Sequence, residues 1–101
     1  MYYLYFIYSA TFGKYYIGSS ADPWKRLVGH NTSDRTTFTS KYRPWVLVAV
    51  FEVGKKRSDA EKMERFIKKQ KSRKLIEKLI ESNFQPQGLL AQLVRVPHVR
   101  D

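Results

Sequence analysis

Runs of aromatic and aliphatic residues predict three strands. Residues 2–8 and 14–19 are rich in side chains that favour strands, and Gly13, in the segment between them, can adopt a positive φ. This pattern predicts a hairpin. Residues 45–51 form a further apolar run, which is followed by Gly54 and predicts a buried strand.

Three other segments carry the signals of helices. Asp22 is a good N-cap and Pro23 suits the first helical position, which predicts a short helix after the hairpin. Ser58 and Asp59 are predicted to cap a second helix, and Ser72 a third. The apolar side chains that recur at helical spacing after these caps are Ala60, Met63, Phe66 and Ile67, then Leu75, Ile76, Leu79 and Ile80.

The order β-β-α-β-α-α predicts a single α/β (α+β) domain, with a small, three-stranded, mainly antiparallel sheet flanked by helices. A chain of 101 residues has room for one such domain. Residues 31–43 are polar and are predicted to form a loop. We expect the domain to span residues 1–83. Residues 84–101 are then a C-terminal tail that could pack on the core, bind a partner or stay mobile.

The excess of basic residues indicates a polyanionic partner. The chain has 19 Lys and Arg against 9 Asp and Glu, a formal charge of +10. Nucleic acid is the first candidate and an anionic membrane surface the second, while a basic surface kept for solubility is the plainer alternative. The lack of Cys excludes disulfide scaffolds, Cys-ligated metal sites and cysteine nucleophiles.

The apolar segments do not have the features of targeting signals or membrane spans. Residues 1–8 have no basic segment before them and no small-residue cleavage site. Residues 45–51 fall far short of the ~20 residues that cross a bilayer. We therefore expect a cytoplasmic protein without membrane contact.

Two tyrosines on neighbouring strands are candidates for a functional site. If the hairpin is symmetric about Ala10 and Thr11, Tyr5 and Tyr16 face each other on one side of the sheet. Gly18 falls on the same side, where its missing side chain would open room for a ligand. The alternative is that these rings serve only packing.

A basic pair and a carboxylate are further candidates. Arg26 and His30 lie one turn apart on the first helix, and the planar guanidinium of an arginine is well shaped to hold a phosphate. A solvated polar face, opposite the apolar face formed by Trp24, Leu27 and Val28, is the alternative for this pair.

On the second helix, Glu64 borders the apolar stripe, whereas Glu61 points further toward solvent. A carboxylate turned toward the sheet needs a cation, which could be a Lys or Arg in an ion pair or a divalent metal ion. Basic residues concentrate between positions 62 and 78. The candidates for contact with nucleic-acid phosphates are Lys14, Lys41, Lys68, Lys69, Lys71 and Arg73.

These residues resemble the signature of the GIY-YIG nuclease superfamily, and of its small single-domain bacterial members in particular. The first half of the paired motif reads Tyr3-Leu4-Tyr5 rather than Gly-Ile-Tyr, and the second half is Tyr16-Ile17-Gly18. Arg26, His30-Asn31 and Ser58-Asp59-Ala60 leading to Glu64 follow in the family's order, so the resemblance covers about residues 2–80.

The resemblance implies a role for each of these residues. Tyr5 and Tyr16 would line the active site, with one of them assisting deprotonation of the attacking water, while Arg26 would bind and stabilise the scissile phosphate. His30 would support proton transfer or phosphate contact, and Glu64 would hold a single Mg²⁺ or Mn²⁺ ion. For the Asn that many family members have after the Glu, Asn83 is the candidate here.

Two functions follow as hypotheses. The first is a metal-dependent endonuclease that hydrolyses phosphodiester bonds in DNA with little sequence specificity. The alternative is a non-catalytic basic nucleic-acid-binding module on the same scaffold, which would bind without a metal requirement. A basic protein of the ribosome or of a membrane surface is a third option, which leaves the tyrosine spacing unexplained.

Overall fold

The computed structural model describes residues 1–81 and 84–97, and it is an α+β fold built on one antiparallel sheet. The strand order is β2-β1-β3-β4, so the first strand lies in the interior of the sheet and the second at its edge. In β1 the residues Leu4, Tyr5, Phe6 and Ile7 have no exposed surface. The strands are β1 Tyr2–Ser9, β2 Lys14–Ser20, β3 Val46–Gly54 and β4 Val94–Arg95.

The sheet has one strand more than the sequence predicts. Strand β4 pairs with β3 through Phe51 and Glu52, and it is only two residues long. A pair of residues is too short for an alternating pattern to be recognised. A 3₁₀ helix, Gly88–Gln92, precedes β4.

The hairpin forms as predicted, but with another register. Tyr5 pairs with Gly18, and Tyr16 pairs with Ile7, so the expected direct pairing of the two tyrosines is wrong by two residues. The turn extends to Gly13, which has φ +62°, and this displaces its centre from the predicted position. Because side chains alternate with a period of two, the shift leaves Tyr5, Tyr16 and Gly18 on the same face.

The helices begin at side-chain caps in most cases. Asp22 accepts a hydrogen bond from the Lys25 N–H (3.0 Å), and Ser72 accepts one from the Leu75 N–H (3.1 Å), which confirms both predicted caps. The helix predicted to be capped by Ser58 and Asp59 begins earlier, at Arg57. Its N-cap is Lys56, which makes no side-chain cap bond. The helices are α1 Pro23–Thr32, α2 Phe38–Lys41, α3 Arg57–Gln70 and α4 Arg73–Ile80.

The short helix α2 corrects the expectation of an unbroken loop over residues 31–43. Thr37 and Ser40 form a reciprocal capping box at its start, in which each side chain accepts a hydrogen bond from the other's backbone N–H. This holds the segment against the sheet and buries the side chain of Thr39, which is 5% exposed.

The core has two parts, one on each face of the sheet. One face packs under α3 and α4 around Phe6, Phe51 and Leu79, and it also receives Leu90 and Leu93 from the C-terminal segment. The other face is covered by α1 and the α2 segment. Its buried side chains are Tyr5, Ile7, Trp45, Leu47 and Val50. Within the described residues, no helix is long and apolar enough to cross a membrane.

Candidate active site

Helix α1 turns a different face to the sheet than its apolar pattern predicts. Trp24 and Val28 are exposed at 43% and 59%, whereas His30 and Asn31 are half-buried. Asn31 exchanges two hydrogen bonds with the Trp45 backbone, at 3.0 and 2.7 Å. Polar side chains can face inward here because their hydrogen bonds are made by partners on other elements.

A chain of side-chain hydrogen bonds crosses this inward face. The Tyr5 hydroxyl lies 2.8 Å from His30 Nε2, and His30 Nδ1 lies 2.9 Å from Thr39 Oγ1. The Trp45 indole donates to the Thr39 carbonyl oxygen at 2.7 Å and fixes that end. Both imidazole nitrogens are therefore occupied, so the ring of His30 is held in one orientation.

Thr39 was missed by the sequence analysis. It lies in a polar segment, and a single threonine there carries no signal of its own. The only sequence signal in its neighbourhood is the spacing of Thr37 and Ser40, which is compatible with a helix cap.

Burial sets the protonation states of Tyr5 and His30, the two titratable groups in this series of hydrogen bonds. The pKa of Tyr5 is raised to about 12, chiefly by burial. A hydrogen bond and positive charge from Arg26 oppose this shift, and the charges of Tyr16 and Glu64 reinforce it. Burial, together with the charges of Arg26 and Arg43, lowers the pKa of His30. At neutral pH the pair is thus an un-ionised phenol beside an uncharged imidazole that can take up a proton.

Gly18 makes room for Tyr5 rather than for a ligand. A Cβ atom at Gly18 would lie 2.3 Å from the Tyr5 hydroxyl oxygen and 2.5 Å from its Cζ. The hydroxyl end of the tyrosine ring therefore packs against the glycine on the neighbouring strand. The expectation that Gly18 leaves space for a ligand is wrong, because the pairing register places Tyr5 directly opposite it.

Tyr16, Arg26 and His30 open onto one cavity of about 580 Å³ between the hairpin, α1, the α2 segment and the first turns of α3. Its other basic residues, Lys25, Arg35 and Arg57, outnumber its acidic ones, Asp22 and Glu61. Tyr5 lies behind the cavity with no exposed surface. The cavity thus brings together a guanidinium, an uncharged imidazole and a phenol, a set of groups that can bind a phosphate and transfer a proton.

Glu64 reaches the edge of the sheet from the opposite side. Its Oε1 accepts a hydrogen bond from the Ser19 hydroxyl at 2.7 Å, and its Oε2 accepts one from Lys68 Nζ at 2.7 Å. Ser19 follows Gly18 on the edge strand β2, and it lines the cavity that holds Arg26, so the residue that binds Glu64 connects the carboxylate to this cavity. Glu64 does not line the cavity that holds Arg26, although its negative charge acts on Tyr5. Ser19 has no distinguishing sequence signal.

The carboxylate of Glu64 fits a hard divalent ion that needs few protein ligands. Within residues 1–81 and 84–97, no group of three or more His, Asp or Glu side chains could hold a metal ion. Mg²⁺ is often held by one or two carboxylates, with water and substrate phosphate completing its shell. Glu64 and the Ser19 hydroxyl are oxygen donors of this kind, and the Lys68 ammonium at 2.7 Å already marks the position as favourable for a cation. Asn83 lies outside the described residues.

The basic residues selected from the sequence occupy two kinds of position. Four of them surround a second cavity, at the tip of the hairpin, and two of these make hydrogen bonds within the protein: Lys68 to Glu64 and Arg73 to the Gly13 carbonyl oxygen. The four are Lys14, Lys68, Lys71 and Arg73. Lys41 and Lys69 are exposed on α2 and α3 and do not line this cavity.

Comparison with known proteins gives one match. Residues 1–78 match the family model described as the GIY-YIG catalytic domain, which is more than three quarters of the chain. No match is found among curated proteins. The matched range contains every residue of the site described above.

Proposed function

Because the chain belongs to the GIY-YIG family of nucleases, we propose that it is a metal-dependent endonuclease that hydrolyses phosphodiester bonds in DNA with little sequence preference. The observation that carries this proposal is the hydrogen-bonded pair of Tyr5 and His30 behind a cavity lined by Arg26. It combines a proton acceptor with a phosphate-binding group, the two functions that hydrolysis of a phosphodiester requires.

Arg26 is the proposed phosphate-binding residue. It is exposed on the cavity, and its guanidinium can donate two parallel hydrogen bonds to phosphate oxygens. Lys25, Arg35 and Arg57 surround it with positive charge that attracts the DNA backbone. The same guanidinium would stabilise the negative charge that develops on the phosphate oxygens during attack.

The Tyr5–His30 pair is the proposed proton acceptor. With a pKa of about 12, the Tyr5 phenol holds its proton at neutral pH, so the imidazole of His30 is where a proton is stored. Tyr5 has no exposed surface, so His30 and Tyr16 are the groups of the cavity that can meet the attacking water. The water oxygen would bond to phosphorus as the bond from phosphorus to the sugar oxygen breaks. His30 Nε2 would take the proton of the water in exchange for its hydrogen bond to Tyr5, and the leaving sugar oxygen would keep the electron pair and take a proton from solvent.

Glu64, with the Ser19 hydroxyl beside it, would hold the divalent ion. When bound, Mg²⁺ or Mn²⁺ supplies Lewis-acid stabilisation of charge on the phosphate and on the leaving oxygen. Ser19 orients the carboxylate through Oε1. Lys68 neutralises the carboxylate through Oε2, so binding of a divalent ion would require this ammonium to move away.

The test is nicking of supercoiled plasmid DNA with Mg²⁺, with Mn²⁺ and with EDTA. We expect the wild-type protein to nick in either metal and not in EDTA. Removing one group that stabilises the transition state typically costs ~10²–10³-fold in rate, and we expect losses of this size in Glu64→Gln and Arg26→Ala. Glu81→Gln, an exposed carboxylate at the C-terminal end of α4, is the matched control and should nick like the wild type. Unchanged nicking by Glu64→Gln would remove the proposed metal site.

The ion pair between Glu64 and Lys68 favours one second candidate, a non-catalytic nucleic-acid-binding module. In that case the carboxylate serves only to hold Lys68, and phosphate binding depends on salt but not on metal. Retardation of the plasmid without nicking in Mg²⁺, Mn²⁺ and EDTA alike would support this candidate against the endonuclease.

A further inference from the structure

A second cavity, of about 560 Å³, lies between the tip of the hairpin and the junction of α3 with α4. We call it the hairpin groove and define it by its aromatic residues Phe12, Tyr15, Tyr16 and Phe38 and its basic residues Lys14, Lys68, Lys71 and Arg73. Its volume lies within the ~300–1,000 Å³ typical of pockets for small organic molecules. A nucleotide base with its sugar therefore fits.

Exposed aromatic rings in the groove are held in place by one another. Phe12 and Phe38 are 49% and 47% exposed. Both rings contact Tyr42, at centroid distances of 5.4 and 4.9 Å, and Phe38 lies nearly parallel to Tyr16, with 27° between the planes. Large exposed aromatic side chains that are already ordered lose little entropy when a flat ligand stacks on them.

The charge of the groove is of one sign. None of the described residues that line it is acidic, and two of its three lysines lie over aromatic rings. Lys14 Nζ is 4.9 Å from the centre of the Tyr42 ring, and Lys68 Nζ is 5.2 Å from that of Tyr16. Basic side chains interleaved with aromatic rings suit a ligand that has flat bases on a negatively charged backbone.

The groove adjoins the candidate active site. Tyr16 lines both the groove and the cavity that holds Arg26 and His30. Lys68 lines the groove and contacts Glu64. A strand whose phosphate lies at Arg26 can therefore continue past Tyr16 into the groove with its next nucleotide.

We propose that the hairpin groove binds an unpaired nucleotide next to the scissile phosphate by stacking its base on Phe38 and Phe12. Bases in a duplex are covered by their neighbours on both faces, so a ring can stack on them only where the strand is unpaired. The proposal rests on the proposed function and names its substrate class: single-stranded DNA, or a single-stranded segment of a branched molecule.

The experiment measures binding by fluorescence anisotropy in EDTA, which prevents metal-dependent cleavage. The probes are a labelled single strand of ~12 nucleotides, the same strand with its central bases removed and its backbone intact, and the matching blunt duplex. In the wild-type protein we expect removal of the bases to weaken binding by about 5- to 150-fold, the range that corresponds to loss of stacking on one base.

Phe38→Leu and Phe12→Leu should each weaken binding of the complete single strand and leave binding of the base-free strand and of the duplex unchanged. Trp24→Leu is the matched control, because Trp24 is another exposed aromatic residue, at 43%, that lies outside the groove. It should bind all three probes like the wild type. The comparison of the two single strands uses the wild-type protein alone, so it does not depend on the folding of any variant.

Equal wild-type affinity for the complete and base-free strands would overturn the proposal, because binding would then depend on charge alone. Equal losses on all three probes in both leucine variants would also overturn it. The proposed function is judged separately, by metal-dependent cleavage of supercoiled plasmid DNA and of the labelled single strand. Stacking without cleavage of either DNA leaves the groove assigned and refutes the endonuclease, and cleavage without stacking does the reverse.

Discussion

Replacing Gly18 by alanine tests the packing that holds Tyr5 in place. The added methyl carbon would lie 2.3 Å from the Tyr5 hydroxyl oxygen, 2.5 Å from Cζ and 2.8 Å from Cε1. Real Cβ atoms do not approach other atoms this closely, so either the ring or strand β2 must move. Tyr5 has no exposed surface and its hydroxyl is bonded to His30, which leaves its ring no free direction.

Overpacking of a core by one methyl group typically costs ~1–3 kcal/mol. For Gly18→Ala we expect about 2–3 kcal/mol, because the clash involves the rigid ring rather than the end of a flexible chain. Displacement of the ring would also break its hydrogen bond to His30, which contributes ~0.5–1.5 kcal/mol on its own. Activity should fall together with stability, since the same ring orients the imidazole.

Urea unfolding measures this change in stability. Gly29→Ala is the matched control: a Cβ at Gly29 meets no atom within 4 Å, and alanine in a helix is expected to gain ~0.5–1 kcal/mol. In a Tyr5→Leu background, where the ring is absent, Gly18→Ala should cost much less than in the wild type. A Gly18→Ala protein within ~0.5 kcal/mol of the wild type, or an equal cost in both backgrounds, would refute the proposed packing.

Two other variants test the contribution of His30 in the candidate site and of Arg95 in the C-terminal segment. Burial and the charges of Arg26 and Arg43 lower the pKa of His30 in the folded protein, whereas the unfolded chain takes up its proton near pH ~6.5. The free energy of unfolding should therefore decrease as the pH falls below about 6.5, and this decrease should be smaller in His30→Gln. Urea titrations of both proteins at about pH 7.5 and about pH 5.5 measure the decrease. An identical decrease in the two proteins would contradict the prediction. The Arg95 guanidinium lies 4.8 Å from the Phe51 ring and donates to the carbonyl oxygens of Leu79 and Glu81 at 2.7 Å each, so Arg95→Ala should lose ~1.5–3 kcal/mol by urea unfolding. Arg65→Ala, an exposed arginine on α3, is its control, and equal stability of the two variants would refute the role of Arg95.

Much of the fold could be predicted because its signals are local. Asp22 and Ser72 cap their helices through backbone groups three residues away, so the sequence window contains both partners. The start of α3 was misplaced because Ser58 and Asp59 have good capping side chains, while the extended backbone at Lys56 begins the helix without one. Strand β4 is fixed by its contact with β3, more than forty residues earlier, and no local pattern reports such a contact.

The orientation of α1 could not be predicted from its apolar residues. Hydrophobic patterning assumes that polar side chains prefer water, and Trp24, Leu27 and Val28 suggested the buried face. Leu27 does pack against the core, but Trp24 and Val28 are exposed. Instead His30 turns inward, because its two ring nitrogens find partners on β1 and α2, 25 and 9 residues away in sequence. By contrast, the shared face of Tyr5 and Tyr16 was correct despite the wrong register, since an even shift preserves the alternation of side chains.

The position of β2 at the edge of the sheet is what allows the candidate site to exist. Tyr16 projects from one face of β2 and Ser19, which orients Glu64, from the other. In the interior of a sheet, a neighbouring strand would separate groups on opposite faces. At the edge they can meet around the side of the strand, and Tyr16 and Ser19 do line the same cavity. The interior position of β1 therefore matters beyond stability: by pairing with both β2 and β3, it keeps β2 outermost and leaves this edge, together with the adjoining hairpin groove, open to a nucleic-acid strand.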